Sequence, residues 1–372
     1  MARGDGAGAL DATGAKMLVF GGDKAVAVCG DIPAHTNASD TWILDVGGCA
    51  WRAVAAGAGP GARARHAAVL DHDKNRALIF GGRTRAGTSG PYTLMNDVWS
   101  FDFATEAWSK VAATGALPSA RSNAAAVLDH GKLIVFGGST STDGLQFIPQ
   151  NDTFSLDLAT NVWSAVASTS TKPPARLFHA MAVDEASRVA YLFSGGGANA
   201  FMGPFFTDVW ALDLAAQTWS QVTTTGDAPR GRINHGMVYD ASRKRLVTFA
   251  GHDDGPLGNG NDLFALDLTA SPAAWTNLSK GDVPNKAPNG QCGFPPDFTT
   301  IDKAAPERRS AFVFAPRVDG SGFMVFGGKS DCGVLSDAWY WSASSLRWTT
   351  LKATPVGLSC LRTSTTCSGL CG

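Results

Sequence analysis

Residues 77–108 read ALIFGGRTRAGTSGPYTLMNDVWSFDFATEAW, and this stretch decides the fold because its pattern occurs six times in the chain. Each copy begins with an apolar run that ends in a glycine pair or a close variant of one. A polar loop follows the glycines. The six runs are MLVFGG (17–22), ALIFGG (77–82), KLIVFGG (132–138), YLFSGG (191–196), LVTFAG (246–251) and FMVFGG (323–328).

A second run follows each polar loop and leads to a tryptophan. These runs are SDTWILD (39–45), NDVWSFD (96–102), NDTFSLD (151–157), TDVWALD (207–213), NDLFALD (261–267) and SDAWYWS (336–342). The tryptophans are Trp51, Trp108, Trp163, Trp219, Trp275 and Trp348. The aromatic residue of the second run precedes this tryptophan by nine residues in five copies and by eleven in the fifth. Spacing this regular indicates an internal structural repeat.

A further run precedes each glycine pair and begins with arginine. Its copies are RGDGAGALD (3–11), RARHAAVLD (63–71), RSNAAAVLD (121–129), RLFHAMAVD (176–184), RINHGMVYD (232–240) and RSAFVFAPR (309–317). Each unit therefore contains four short segments rich in Val, Leu, Phe and Trp, separated by Gly, Asn and Asp, as β-strands require. One four-stranded sheet cannot bury both of its faces, whereas a ring of six sheets can. The repeat predicts an all-β, six-bladed β-propeller with aromatic residues filling the wedges between blades.

The order Gly-Gly, Asn-Asp-x-Trp and a Trp nine residues later resembles the kelch repeat over residues 3–351. The resemblance implies a kelch-type propeller with four antiparallel strands per blade, in one domain over 1–351. We expect blades at residues 3–56, 63–113, 121–168, 176–224, 232–279 and 309–351, followed by a cysteine-containing tail at 352–372. The tail either adds an inner strand beside blade 1 or packs on a face, and we favour packing. Kelch propellers include both binding scaffolds and enzymes, so the fold does not decide function.

Composition limits the partners and the compartment. The net charge is −1, which is unsuited to general nucleic-acid binding. No apolar run approaches the ~18 residues of a membrane helix, and residues 1–14 lack the apolar region of a secretory signal. Loop positions favour disulfides that pair Cys292 with Cys332 and Cys29 with Cys360. These pairs favour an extracellular or periplasmic monomer, with cytoplasmic free thiols as the alternative.

The repeated arginines are the first candidate binding residues. First strands line a propeller's channel, so these arginines are expected at the mouth formed by the 2–3 loops and the 4–1 connections. Aromatic residues of the 2–3 loops are expected beside them. The candidates are Arg63, Arg121, Arg176, Arg232, Arg309, Tyr92, Phe147 and Phe205. Guanidinium groups suit an acidic peptide, a protein segment or a small anionic ligand. In some kelch domains, arginines at comparable positions bind acidic peptides, and the resemblance implies the same role here.

The alternative role for the same arginines is structural: each would brace its blade by forming an internal ion pair. Aspartates recur with the same period and could pair with them. They are Asp45, Asp102, Asp157, Asp213 and Asp267.

An enzyme is the alternative to a recognition module. His66, His179 and His235 recur three residues after an arginine and, with His252 and Asp253, are the candidate acid–base residues. Asp143 and Asp331 lie in sister loops. The enzyme would be metal-dependent, or an isomerase or lyase acting on a small polar or anionic substrate. Neither the Tyr–His–Cys copper set of kelch-type oxidases nor the Glu-x3-Asp-x3-His motif of plant specifier proteins is found. We expect no cofactor, with a transition metal or calcium as the alternative.

Overall fold

The computed structural model describes residues 2–25, 36–55, 57–87, 89–168, 171–253, 255, 258–285, 299–330 and 333–352. These ranges are built of β-strands and connecting loops and contain no helix. No segment within them could cross a bilayer as a helix. The predicted six-bladed propeller is confirmed: six sheets each contain four antiparallel strands that follow chain order.

The first three blades run in chain order from the innermost strand to the outermost. Blade 1 contains Ala7–Leu10, Lys16–Phe20, Thr41–Asp45 and Ala50–Ala53. Blade 2 contains Ala67–Asp71, Arg76–Phe80, Val98–Asp102 and Ala107–Lys110. Blade 3 contains Ala125–Asp129, Lys132–Phe136, Thr153–Asp157 and Val162–Ala165.

The remaining blades repeat this order. Blade 4 contains Ala180–Asp184, Val189–Phe193, Val209–Asp213 and Thr218–Val222. Blade 5 contains Gly236–Asp240, Arg245–Asp253, Asn259–Asp267 and Ala273–Ser279. Blade 6 contains Val313–Pro316, Gly322–Phe326, Ala338–Ser342 and Arg347–Lys352. In two places the connection between blades adds a short parallel strand to the next outer edge, at Thr114–Gly115 and Thr224–Gly226.

Aromatic pairs fill all six wedges, as the repeat predicts. The phenylalanine before the glycine pair of one blade packs on the fourth-strand tryptophan of the next blade. Ring centroids in these pairs are 4.6–5.6 Å apart. The pairs are Phe20–Trp108, Phe80–Trp163, Phe136–Trp219, Phe193–Trp275, Phe249–Trp348 and Phe326–Trp51. Aromatic contacts of this geometry add to the energy of apolar burial. The Phe326–Trp51 pair closes the ring between blades 6 and 1.

The glycine pair forms a backbone link between blades. The N–H of its second residue donates to the carbonyl of the next blade's repeated arginine, and Gly328 closes the ring by donating to Arg3 at 2.8 Å. The second position has φ of 88–101°, beyond the left-handed range that other residues adopt, and is glycine in every blade. The first position has φ of 58–66° and accepts Ser194 and Ala250. In the fourth copy the pair is thus Ser194–Gly195, not the two glycines of its FSGG motif.

The cysteine and tail predictions lie outside the described residues. Cys29, Cys292, Cys332 and Cys360 are all in undescribed segments, as is the tail beyond residue 352. Within the described ranges, Cys49 is an exposed free thiol.

Candidate functional site

The repeated arginines are internal clamps. Arg176 donates from both terminal nitrogens to the two carboxylate oxygens of Asp208, at 2.7 and 2.8 Å. It also donates to the carbonyl of Ser194 at 2.8 Å. The same carboxylate accepts from Trp210 Nε1 at 2.7 Å. The pairs equivalent to Arg176–Asp208 are Arg3–Asp40, Arg63–Asp97, Arg121–Asp152, Arg232–Asp262 and Arg309–Asp337.

Burial decides what these arginines can do. The six clamp arginines are 0–2% exposed, and each terminal nitrogen already has an internal acceptor. Burial alone would raise the pKa of Asp208, but the hydrogen bonds and charge of Arg176 outweigh it and lower that pKa. These contacts describe bracing and correct the predicted ligand-binding role of Arg63, Arg121, Arg176, Arg232 and Arg309.

The predicted bracing partners were also wrong. The clamp carboxylates belong to the aspartate just before the third strand, not to the one at its end. The aspartates at the strand ends bind nearby backbone instead. Asp102, for example, accepts from the backbone N–H of Ala104 at 2.9 Å and of Thr105 at 2.7 Å. A side chain at the start of the third strand lies beside the arginine, whereas one at its end lies at the opposite face.

The three repeated histidines lie in separate wedges and do not converge. His66, His179 and His235 pack edge-on against the wedge phenylalanines Phe20, Phe136 and Phe193, with centroids 5.4–5.5 Å apart. Burial, followed by the charge of the neighbouring clamp arginine, lowers the pKa of His66 and of His179 to about 3. In blade 6 Phe312 occupies the same position and packs on Phe249 at 5.6 Å. These histidines therefore act as neutral wedge-filling rings.

A collar of six backbone hydrogen bonds narrows the channel next to the clamps. Each N–H donates to the carbonyl of the equivalent residue in the preceding blade, at 2.8–3.1 Å, and the circle closes on itself. All six members have left-handed φ of 53–61°. They are Asp5, Arg65, Asn123, Phe178, Asn234 and Ala311. The collar separates the inner-strand channel from the surface of 2–3 loops and 4–1 connections, which we call the 2–3 face.

Three other arginines meet on the 2–3 face. Arg65 belongs to the collar, and Arg83 and Arg85 follow the glycine pair of blade 2. The guanidinium carbons of Arg83 and Arg85 lie 3.8 and 4.4 Å from the centroid of the Tyr92 ring. The Arg65 guanidinium lies 5.5 Å from the Phe201 ring. These residues line an open groove of about 610 Å³, which we call the arginine groove.

The charges of the arginine groove are not fully matched. Arg65 Nε lies 3.3 Å from the buried carboxylate of Asp5, which Lys329 also binds. Arg65 Nη1 and Arg85 Nε are buried with no hydrogen-bond acceptor among the described residues. Burial, followed by the charge of Arg65, lowers the pKa of Arg83 to about 9. Two unsatisfied buried N–H donors within a group of like charges favour an anion as the missing partner.

Apolar side chains border the groove. Leu145 and Phe201 line it and are 73% and 39% exposed. Met202 follows Phe201 along the chain and is 84% exposed. The three predicted aromatics behave differently: Tyr92, Phe147 and Phe205 are buried rather than exposed. Tyr92 still lines the groove, whereas Phe147 and Phe205 belong to the apolar cluster beneath the loops.

The remaining candidate residues do not form one site. His252 packs near Phe205 with centroids 6.1 Å apart. Burial raises the pKa of Asp253, whose carboxylate accepts from the backbone N–H of Gly255 at 2.6 Å. Asp143 accepts from two backbone N–H groups of its own loop. Asp331 lies outside the described residues. In the part of the chain that is described, no three His, Cys, Asp or Glu side chains are grouped to hold a metal.

Sequence reasoning missed Arg65, Arg83 and Arg85. Only the repeated arginine stood out, because periodicity selects residues that every blade needs. The stretch GGRTR (81–85) could have indicated this site, because none of the other five repeats has two arginines just after its glycine pair.

Comparison with known proteins agrees with this architecture. The family model of the KLHDC2/KLHL20/DRC7 Kelch-repeats domain matches residues 7–238 and 187–369. The chain thus belongs to the kelch-repeat β-propeller family.

Several curated proteins are similar to this chain. Kelch domain-containing protein 10 of Xenopus laevis is 26% identical over 306 residues, which are 79% of this chain and 66% of that protein. The human protein of that name is 27% identical over 316 residues, 81% of this chain and 63% of the relative. The chain thus spans slightly less than two thirds of these relatives. Among solved structures, that of YjhT matches with a TM-score of 0.62 at 15% identity, over 94% of this chain and 97% of the other, which shows the shared fold.

Proposed function

We propose that this propeller recognises an acidic segment of a partner protein, held in the arginine groove of the 2–3 face. Kelch propellers are in general protein-interaction modules, and the groove supplies the specific chemistry. The observation that carries the proposal is the pair of buried donors without acceptors, Arg65 Nη1 and Arg85 Nε. A carboxylate would satisfy such donors through charge-assisted hydrogen bonds.

Electrostatics inside the groove also supports an anionic ligand. Arg65, Arg83 and Arg85 line it together with one carboxylate, that of Asp143. A bound carboxylate would offset the repulsion between Arg65 and Arg83, so binding would relieve a cost that the free protein carries. The Tyr92 ring beneath two guanidinium groups holds them in place through cation–π contact.

The apolar border adds a second requirement for the ligand. Leu145 and Phe201 expose apolar surface directly beside the arginines. A segment that combines acidic residues with a large apolar side chain would use both parts of the site. Buried apolar anchors next to charged contacts are typical of the residues that dominate binding energy.

The test is fluorescence anisotropy with a labelled peptide of alternating Glu and Leu and a matched peptide of Gln and Leu. We expect Arg85→Ala to weaken binding of the Glu peptide about tenfold and Arg83→Ala/Arg85→Ala about a hundredfold, as for lost charged hydrogen bonds. Arg52→Ala is the matched control, because Arg52 is exposed and pairs with Glu106 on an outer edge. Equal binding of both peptides, or equal affinity of the double variant and the Arg52 variant, would overturn the proposal.

A further inference from the structure

The channel contains a cavity of about 290 Å³ on the other side of the collar. It opens at the surface made by the turns between first and second strands, which we call the 1–2 face. All six first strands contribute to its wall. The collar lies at the opposite end of these strands, so the cavity is distinct from the arginine groove.

The cavity wall is apolar. Ala68, Val69, Ala126, Val127, Met181 and Met237 are among its lining residues. Its volume is about twice that of an apolar cavity of ~150 Å³ that stays dry and binds benzene, and water gains few hydrogen bonds along such a wall. The space results from small residues: the position five residues after the clamp arginine is Gly8, Ala68 and Ala126 in blades 1 to 3. In blades 4 to 6 the same position holds Met181, Met237 and Phe314.

The rim of the cavity is negatively charged on one side. Asp184 and Glu185 are consecutive residues at the end of the first strand of blade 4. His72 of blade 2 reaches Glu185, with Nε2 and Oε2 3.0 Å apart. Arg317 also lies at the rim, but its Nε has a carboxylate of its own, 3.8 Å away at Asp319. An apolar wall beneath two adjacent carboxylates is complementary to a molecule with an apolar body and one positive charge.

We propose that the channel cavity binds a small amphiphilic cation, with its hydrocarbon part against the first strands and its ammonium group beside Asp184 and Glu185. Since a cavity of ~150 Å³ binds benzene, this one suits a ligand of about ten non-hydrogen atoms. This site goes beyond the proposed recognition of acidic segments and does not depend on it, because the two sites lie on opposite sides of the collar.

The probes are hexylammonium, hexanol and hexanoate, titrated against the intact chain by ligand-observed NMR. They share the hydrocarbon body and differ in the charge of the head group. We expect saturable binding of hexylammonium, about tenfold tighter than that of hexanoate. Glu185→Gln is expected to weaken hexylammonium about threefold and leave hexanol unchanged, as for a partly exposed ion pair.

Two substitutions that fill the cavity complete the test. Ala68→Leu and Ala126→Leu place extra side-chain volume on the wall and should abolish binding of all three probes. Arg52→Ala is the control and should bind hexylammonium like the unchanged protein, because Arg52 is exposed on an outer edge and lies in neither site. Undiminished binding in both leucine variants, equal affinity for hexanoate and hexylammonium, or no saturable binding of hexylammonium would overturn the proposal. If a leucine variant does not fold, the Glu185→Gln comparison decides, because Glu185 is at the rim.

Discussion

Two sets of arginines lie near the same end of the propeller and are bound in opposite ways. The clamp arginines are buried, and each of their terminal nitrogens donates to an acceptor in the protein. Arg65, Arg83 and Arg85 lie against aromatic rings and close to one another's positive charges. Two of their buried nitrogens, Arg65 Nη1 and Arg85 Nε, have no acceptor among the described residues. Burial alone does not separate the two sets, since Arg83 is 3% exposed. The difference teaches that a repeated arginine serves the fold, whereas the arginines confined to one region of the ring include the buried donors that lack an acceptor, on Arg65 and Arg85.

The largest expected effect is on the free energy of unfolding, which a clamp arginine and a groove arginine should change by different amounts. Arg176→Ala leaves the Asp208 carboxylate, with only 17% of its side chain exposed, without its partner. Breaking a buried pair in this way costs about 3–5 kcal/mol. Arg85→Ala is the matched variant, expected to change the free energy of unfolding by no more than about 0.5 kcal/mol. Urea unfolding measures both changes. Similar losses of stability in the two variants would contradict the distinction between clamp and groove arginines.

The next effect concerns the backbone link to the clamp. Gly82 has φ of 101° and donates its N–H to the carbonyl of Arg121 at 2.9 Å. An alanine Cβ at this position would lie 2.9 Å from the carbonyl oxygen of Ala64. We expect Gly82→Ala to cost about 2–3 kcal/mol.

Gly81→Ala is the control for this prediction. Gly81 has φ of 66°, and two other blades place Ser194 and Ala250 at the equivalent position with φ of 59° and 58°. Those blades accommodate a Cβ there, although one at Gly81 would lie 2.7 Å from the carbonyl oxygen of Arg121, so a cost of about 1 kcal/mol is expected. Thermal unfolding compares the two variants, and a larger loss for Gly81→Ala would contradict the assignment of the glycine roles.

A smaller effect depends on pH. Burial and the charge of Arg176 lower the pKa of His179 to about 3, against about 6.5 in the unfolded chain. The unfolded state therefore binds more protons between these values, and stability falls as the pH drops below about 6.5. Well inside this pH range, one such histidine lowers the free energy of unfolding by about 1.4 kcal/mol for each unit by which the pH falls.

His179→Phe tests this pH dependence with a residue that the chain itself uses in the same position, Phe312. The variant should lose about 1 kcal/mol less stability than the unchanged protein between pH 6.5 and 5.5, because the unfolded histidine is only half protonated at pH 6.5. Urea unfolding at the two pH values measures the difference. Identical losses would show that His179 is not held neutral in its wedge.

The fold was predictable because every blade repeats the same requirements. The second glycine of the pair, the Asp before the third strand and the wedge aromatics recur in the same order in all six units, and the structure uses each of them in every blade. The site was less predictable. Tyr92 lines the arginine groove but is buried. Its neighbours Arg83 and Arg85 have no counterparts in other blades, so the periodicity that identified the fold could not select them.

The sequence by itself determined the number of blades, the strand content and the residues that fill the wedges, because these follow from local spacing and apolar pattern. Only the tertiary structure decided which aspartate each arginine binds and which arginines are left for a ligand. It also decided that the collar narrows one end of the channel and that the other end is open. The clamps join segments of one blade that lie 28–37 residues apart in the chain. The collar and the arginine groove depend on contacts between different blades, which form only when the ring closes.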